Sequence, residues 1–150
     1  MSQAMKKLVL QHTECDEQLN RCETALHKGD VAVAARNFRL FSQQLDSHFA
    51  VEEDKLFPAL EKATGMLHGP TAVMRAEHAE IRSLRDEANA AMAVGQAEQA
   101  LAVLDTLNVL IQQHNIKEEN ILYPMCGGSI PDLEEVLGMG STCCGACSCG

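Results

Sequence analysis

The sequence predicts an all-α protein: an up-down-up-down antiparallel four-helix bundle, built from two copies of one 66-residue unit and followed by a cysteine-rich C-terminal tail. Three observations predict it. Apolar residues recur at alternating steps of three and four along four long stretches, the mark of one helix face. Glycines stand where those stretches should break. The chain also matches itself. His48-Phe-Ala-Val-Glu52-Glu53-Asp-Lys-Leu56-Phe57-Pro58 aligns with His114-Asn-Ile-Lys-Glu118-Glu119-Asn-Ile-Leu122-Tyr123-Pro124, with five of eleven positions identical and Phe57 opposite Tyr123. The same offset of 66 carries His12 onto His78 and Gly29 onto Gly95.

The first helix is read from the stripe Met5, Leu8, His12, Cys15, Leu19, Cys22 and Leu26, and the second from Ala34, Phe38, Phe41, Leu45, His48 and Glu52. The third carries Met74, His78, Ile81, Ala88 and Met92, with Arg85 interrupting the pattern. The fourth carries Ala100, Leu104, Leu107, Ile111, His114, Glu118 and Ile121. Gly29 and Gly95 suit the ends of the first and third helices, and Gly65, Gly69 and Pro70 mark the joint between the two units, with Pro70 or Thr71 opening the third helix. Two antiparallel hairpins with short turns give the bundle. The bundle is expected over residues 1–125, and residues 126–150 are expected to hold a linker opening at Cys126-Gly127-Gly128, a short helix between Pro131 and Leu137, and the tail.

The 150 residues suffice for one domain with a real core, and 46% of them are hydrophobic. With no Trp and 3% aromatic residues, that core must be made mainly of Leu, Ile, Val, Ala and Met. The net charge of −9 argues against nucleic acid and anionic membranes as partners. No apolar run approaches the ~18 residues of a membrane span, and the apolar start is too short for a signal peptide. The expected location is cytoplasmic, where seven cysteines serve as thiols or metal ligands sooner than as disulfides.

Polar residues sit on the core stripes where apolar ones belong. His12 lies 17 residues before Gly29 and His48 19 after it; His78 and His114 repeat the spacing around Gly95. At ~1.5 Å per residue each pair stands at one level, roughly 26–28 Å from its turn. Glu52 and Glu118 follow their histidines by four residues, one turn along the same face. Four imidazoles and two carboxylates should therefore meet in one slab of the core. A lone core histidine is more often a hydrogen-bonded residue than a ligand, and His-x-x-x-Glu alone is a weak signal. The doubled set is specific. Buried carboxylates are costly unless cations neutralise them. Two metal ions could take two histidines each and share both carboxylates, with a water, hydroxo or oxo bridge and one position left open for a small ligand. Nitrogen and oxygen donors suit iron best, with manganese or zinc as alternatives. Glu53 and Glu119 turn off the stripe and are expected to lie outside the ligand set, as ordinary surface charges, and His27 and His68, which have no counterpart, to be surface or turn residues.

With these motifs the chain resembles the hemerythrin-like, or HHE cation-binding, family over roughly residues 4–125: His12, His48-x-x-x-Glu52 with Leu56-Phe57-Pro58, His78, and His114-x-x-x-Glu118 with Leu122-Tyr123-Pro124. The resemblance implies a non-haem di-iron centre. Oxygen-carrying members have a second histidine one turn before the one matched by His78, where Met74 stands here, and an aspartate five residues after the last histidine, where this chain has Glu118 at four. The four-His, two-Glu set is similar to the branch linked to iron–sulfur repair, nitrosative stress and iron or oxygen sensing.

Cys143, Cys144, Cys147 and Cys149 crowd the last eight residues as candidate thiolate metal or redox groups, whereas Cys15 and Cys22 lie on the first stripe as small buried hydrophobes. The leading functional expectation is a di-iron protein that binds or senses a small oxidant (dioxygen, nitric oxide or peroxide). One alternative is an enzyme that repairs iron centres or reduces nitric oxide or peroxide. No flavin or nicotinamide motif is present, so turnover would need a partner reductase. The other is a metal-handling protein that uses its tail.

Overall fold

The computed structural model describes residues 2–138, and among these every regular element is helical. The tail cysteines Cys143, Cys144, Cys147 and Cys149 lie outside the described residues. Four long helices dominate: α1 (Gln3–His27), α2 (Val31–Val51), α4 (Pro70–Ala93) and α5 (Ala97–Lys117). Shorter pieces extend α2 and α5. Glu52–Leu56 and Glu118–Leu122 are π-helical turns, here π1 and π2, and they lead into α3 (Phe57–Thr64) and α6 (Tyr123–Ser129). A last turn, α7, spans Leu133–Val136 inside the expected segment. No helix among the described residues is long and apolar enough to cross a membrane.

The helices begin and end for local reasons. Ser2 accepts from Met5 N–H and caps α1, and Asp30 accepts from Val33 N–H and caps α2. At the two hairpin turns the backbone enters the left-handed region, φ 77° at Gly29 and 74° at Gly95, which a side chain would oppose. Both turns close the same way: Asp30 N–H donates to Ala25 carbonyl at 2.9 Å and Gln96 N–H to Ala91 carbonyl at 2.9 Å. Pro70 opens α4, where its missing N–H costs nothing.

α1 packs chiefly on α2 and α4 on α5, and the pairs join through α2 on α4 and α1 on α5. The stripe residues meet in two apolar clusters. The larger holds Cys15, Leu19, Cys22, Phe38, Phe41, Ile81, Leu104 and Leu107 and runs toward the hairpin turns. The smaller holds Met5, Leu8, Leu56, Phe57, Met74, Tyr123, Cys126 and Leu133 at the other end. Arg85, which breaks the third stripe, reaches out to Asp46 of α2 at 2.5 Å.

Two expectations need correction. Ile121 was expected on the core stripe but is 58% exposed, while Leu122 beside it is buried. The π turn explains this: the extra residue shifts the register, so core positions resume at Leu122 and Tyr123. Cys126-Gly127-Gly128 does not open a linker. It continues α6, and Cys126 is fully buried in the smaller cluster. Burial first, then the charges of Glu52 and Glu118, push its thiol up to about 12.

Candidate metal centre

A polar layer separates the two apolar clusters. It is made of His12 from α1, His48 from α2, Glu52 from π1, His78 from α4, His114 from α5 and Glu118 from π2, all buried. Both glutamates are completely shielded from solvent. The six residues singled out by the repeat are thus brought together.

The imidazoles approach in pairs through Nε2, with His12 and His48 at 3.0 Å and His78 and His114 at 3.2 Å. Glu118 Oε1 is 3.0 Å from His12 Nε2 and its Oε2 is 3.0 Å from His114 Nε2. Glu52 Oε2 is 3.4 Å from His48 Nε2 and its Oε1 is 3.1 Å from His78 Nε2. Each carboxylate therefore faces both imidazole pairs. Two donor groups result: His12, His48, Glu52 and Glu118, and His78, His114, Glu52 and Glu118.

The outer ring nitrogens are all engaged. His12 Nδ1 donates to Glu119 Oε2 at 2.7 Å, His48 Nδ1 to Gln11 Oε1 at 2.7 Å, His78 Nδ1 to Glu53 Oε2 at 2.6 Å and His114 Nδ1 to Glu77 Oε1 at 2.8 Å. An acceptor at Nδ1 fixes the proton there and leaves the Nε2 lone pair facing inward. The expectation that Glu53 and Glu119 are surface charges is corrected here: each turns off its own stripe but reaches a histidine on a neighbouring helix. Arg82 grips Glu53 with two N–H donors at 2.8 and 3.1 Å, and Lys117 pairs with Glu77. Burial works to raise the pKa of Glu53 and Glu77, but the hydrogen bonds from Arg82 and His78, and from Lys117 and His114, win and hold both carboxyls below their ordinary range.

Gln11, Glu77 and the hydroxyl of Tyr123 lay outside the expectations. Tyr123, 1% exposed, donates its hydroxyl to Glu52 Oε2 at 2.6 Å and stands 3.1 Å from Glu118 Oε1. The ring of Phe49 stacks on His78 at 3.6 Å, with the planes 9° apart. A cavity of about 10 Å³ borders the layer, lined by His12, Cys15, His48, Phe49, Ile81 and His114 among others, with room for about one water.

Without a cation the layer is electrostatically awkward. Burial disfavours charge on His48 and His78, yet Glu52 and Glu118 lift them to about 10 and about 9. Burial likewise opposes the charge on Glu118, and hydrogen bonds from the four imidazoles hold its carboxyl well below the usual range. Glu52 Oε1 and Glu118 Oε2 remain buried without a hydrogen-bond donor in good alignment. Paired lone pairs and orphaned carboxylate oxygens around one centre fit metal ions, and the donor set of nitrogen and oxygen fits a transition metal such as iron.

The fold and this layer define a helical-bundle metalloprotein. The model of the hemerythrin HHE cation binding domain matches residues 3–126, and the chain belongs to that family. Among curated relatives it is similar to the iron-sulfur cluster repair protein YtfE of Edwardsiella ictaluri (strain 93-146), with 31% identity over 124 residues, covering 76% of this chain and 54% of the relative. The chain thus spans about half the length of that relative. No solved structure matches.

Proposed function

We propose that the chain is a non-haem di-iron protein that binds or senses a small oxidant, namely dioxygen, nitric oxide or peroxide, at a carboxylate-bridged centre. The observation that carries this reading is the set of four imidazoles with every Nδ1 bonded outward and every Nε2 turned toward two shared carboxylates, each with one oxygen left without a partner. His12 and His48 hold one ion, His78 and His114 the other, and Glu52 and Glu118 are common to both. When bound, iron supplies a redox couple and coordination positions that a small ligand can occupy. The protein's own part is orientation and exclusion. Glu119, Gln11, Glu53 and Glu77 hold the Nδ1 protons, Phe49 fixes the plane of His78, and the flanking apolar clusters keep bulk water out. A cavity of about 10 Å³ beside His12, His48 and His114 offers a small ligand a place next to the layer.

The up-down-up-down order and the duplicated unit belong to the same reading. Their support is that α2 and α5, π1 and π2, and the glycine turns each recur 66 residues on. Free thiols at Cys15, Cys22 and Cys126 support a cytoplasmic setting. The repair role named for the Edwardsiella relative favours a second reading, in which the centre acts in mending iron centres with electrons from a partner reductase.

The test is to load the protein with ferrous iron without air and add dioxygen or nitric oxide, following the visible spectrum. Bands that appear on addition and disappear with reductant support binding or sensing. Repeated turnover with an electron donor favours the enzymatic reading. Bound iron with no response to either gas contradicts both.

A further inference from the structure

We propose that Tyr123 is a fifth protein donor to the ion held by His12 and His48, which makes the two metal positions unequal and leaves the His78/His114 position the more open to an exogenous ligand. The proposal rests on the two-metal reading above. The Tyr123 hydroxyl oxygen lies 2.6 Å from Glu52 Oε2, 3.1 Å from Glu118 Oε1, 3.4 Å from His12 Nε2 and 3.5 Å from His48 Nε2. In a six-coordinate site with ligand bonds of about 2.0–2.1 Å, adjacent donors stand about 3 Å apart. The other separations in this half, 3.0 Å between His12 and His48 and 3.0 Å between His12 and Glu118, are of the same size. The phenol oxygen therefore sits as one more member of a donor shell, not merely as a hydrogen-bond partner of one carboxylate.

The other half has no such atom. The repeat places Phe57 opposite Tyr123, and the Phe57 ring is fully buried with its centroid 5.5 Å from that of His78. A hydrocarbon occupies the place of the phenol, so the His78/His114 position has four protein residues where its neighbour has five. On ligation the phenol gives up its proton, now held in the 2.6 Å hydrogen bond to Glu52, and that proton passes to solvent; no electron moves.

The test uses the full chain loaded with ferrous iron and oxidised. Wild-type protein is expected to show a phenolate-to-ferric charge-transfer band and tyrosinate ring vibrations in resonance Raman, both lost in Tyr123→Phe with two irons per chain retained. Azide, used as a probe anion, is expected to bind once per wild-type chain. Two irons per chain without tyrosinate vibrations in the wild type overturns the ligation and leaves the di-iron reading standing. Two azides per chain overturns the inequality. A chain that takes up no iron overturns this proposal and the two-metal reading together. The wild-type vibrations decide the question even if the variant folds poorly.

Discussion

Each histidine of the central layer has one nitrogen facing in and one facing out, and the outward partner determines what the inward one can do. Glu53 holds the Nδ1 proton of His78 and is itself held by Arg82. Replacing Glu53 or Glu119 with Gln weakens that acceptor without removing a metal donor. Metal affinity should fall about 10–100-fold in a competitive chelator titration, with helicity unchanged; unaltered affinity would show that these partners are incidental. At this scale the sequence was legible only in part. The inward six announce themselves because polar residues on an apolar stripe are anomalous. The outward partners lie off their stripes, where Glu and Gln are ordinary, and only a bond to another helix gives them a role. A signal did exist: the offset of 66 carries Gln11 onto Glu77 and Glu53 onto Glu119, so the partners repeat along with the inward six. Tyr123 escaped for the opposite reason. As the counterpart of Phe57 it reads as core, and it is core, with a hydroxyl that reaches the layer.

The helices carry the layer, and their irregularities place it. Pro58 and Pro124 follow π1 and π2 by two residues, and a proline inside a helix leaves a carbonyl without its donor and crowds the preceding turn. A π turn absorbs that misfit, and here it begins at the shared glutamate. The stripes over α1, α2 and α4 were readable because an α-helix keeps one period. The period fails at Ile121 because the register slips within π2. Ile121→Lys should therefore change unfolding free energy by no more than about 0.5 kcal/mol, as at an exposed site. A loss of about 2 kcal/mol or more would return Ile121 to the core. At the hairpin turn, Gly95→Ala meets no steric obstacle but must adopt φ 74°, so denaturant melts should show a loss of about 1 kcal/mol with metal content unchanged.

For the whole molecule, the proposed centre makes metal and proton compete for the same imidazoles, and stability should depend on pH in opposite senses with and without metal. In the metal-free chain His48 and His78 are raised from 6.5 to about 10 and about 9. Their stabilising contribution is complete below about 6.5 and is lost as pH rises through 9–10. Glu118, held below its ordinary value, contributes above about 4.5 and loses that contribution as pH falls. Chelated protein should therefore melt at progressively lower temperature from pH 6.5 to 10. Loaded protein should gain from pH 5 to 8, because its ligands must be deprotonated. Parallel curves would mean that the buried layer does not hold metal in the folded state.

The central claim is that six residues from six elements of the chain hold two ions. The most direct test is to titrate chelated protein with ferrous iron without air and measure iron per chain after gel filtration, for the wild type and for Glu118→Gln. Two irons per wild-type chain, with a marked loss in the variant, are predicted. No retained iron, or the same content in both proteins, would contradict the account.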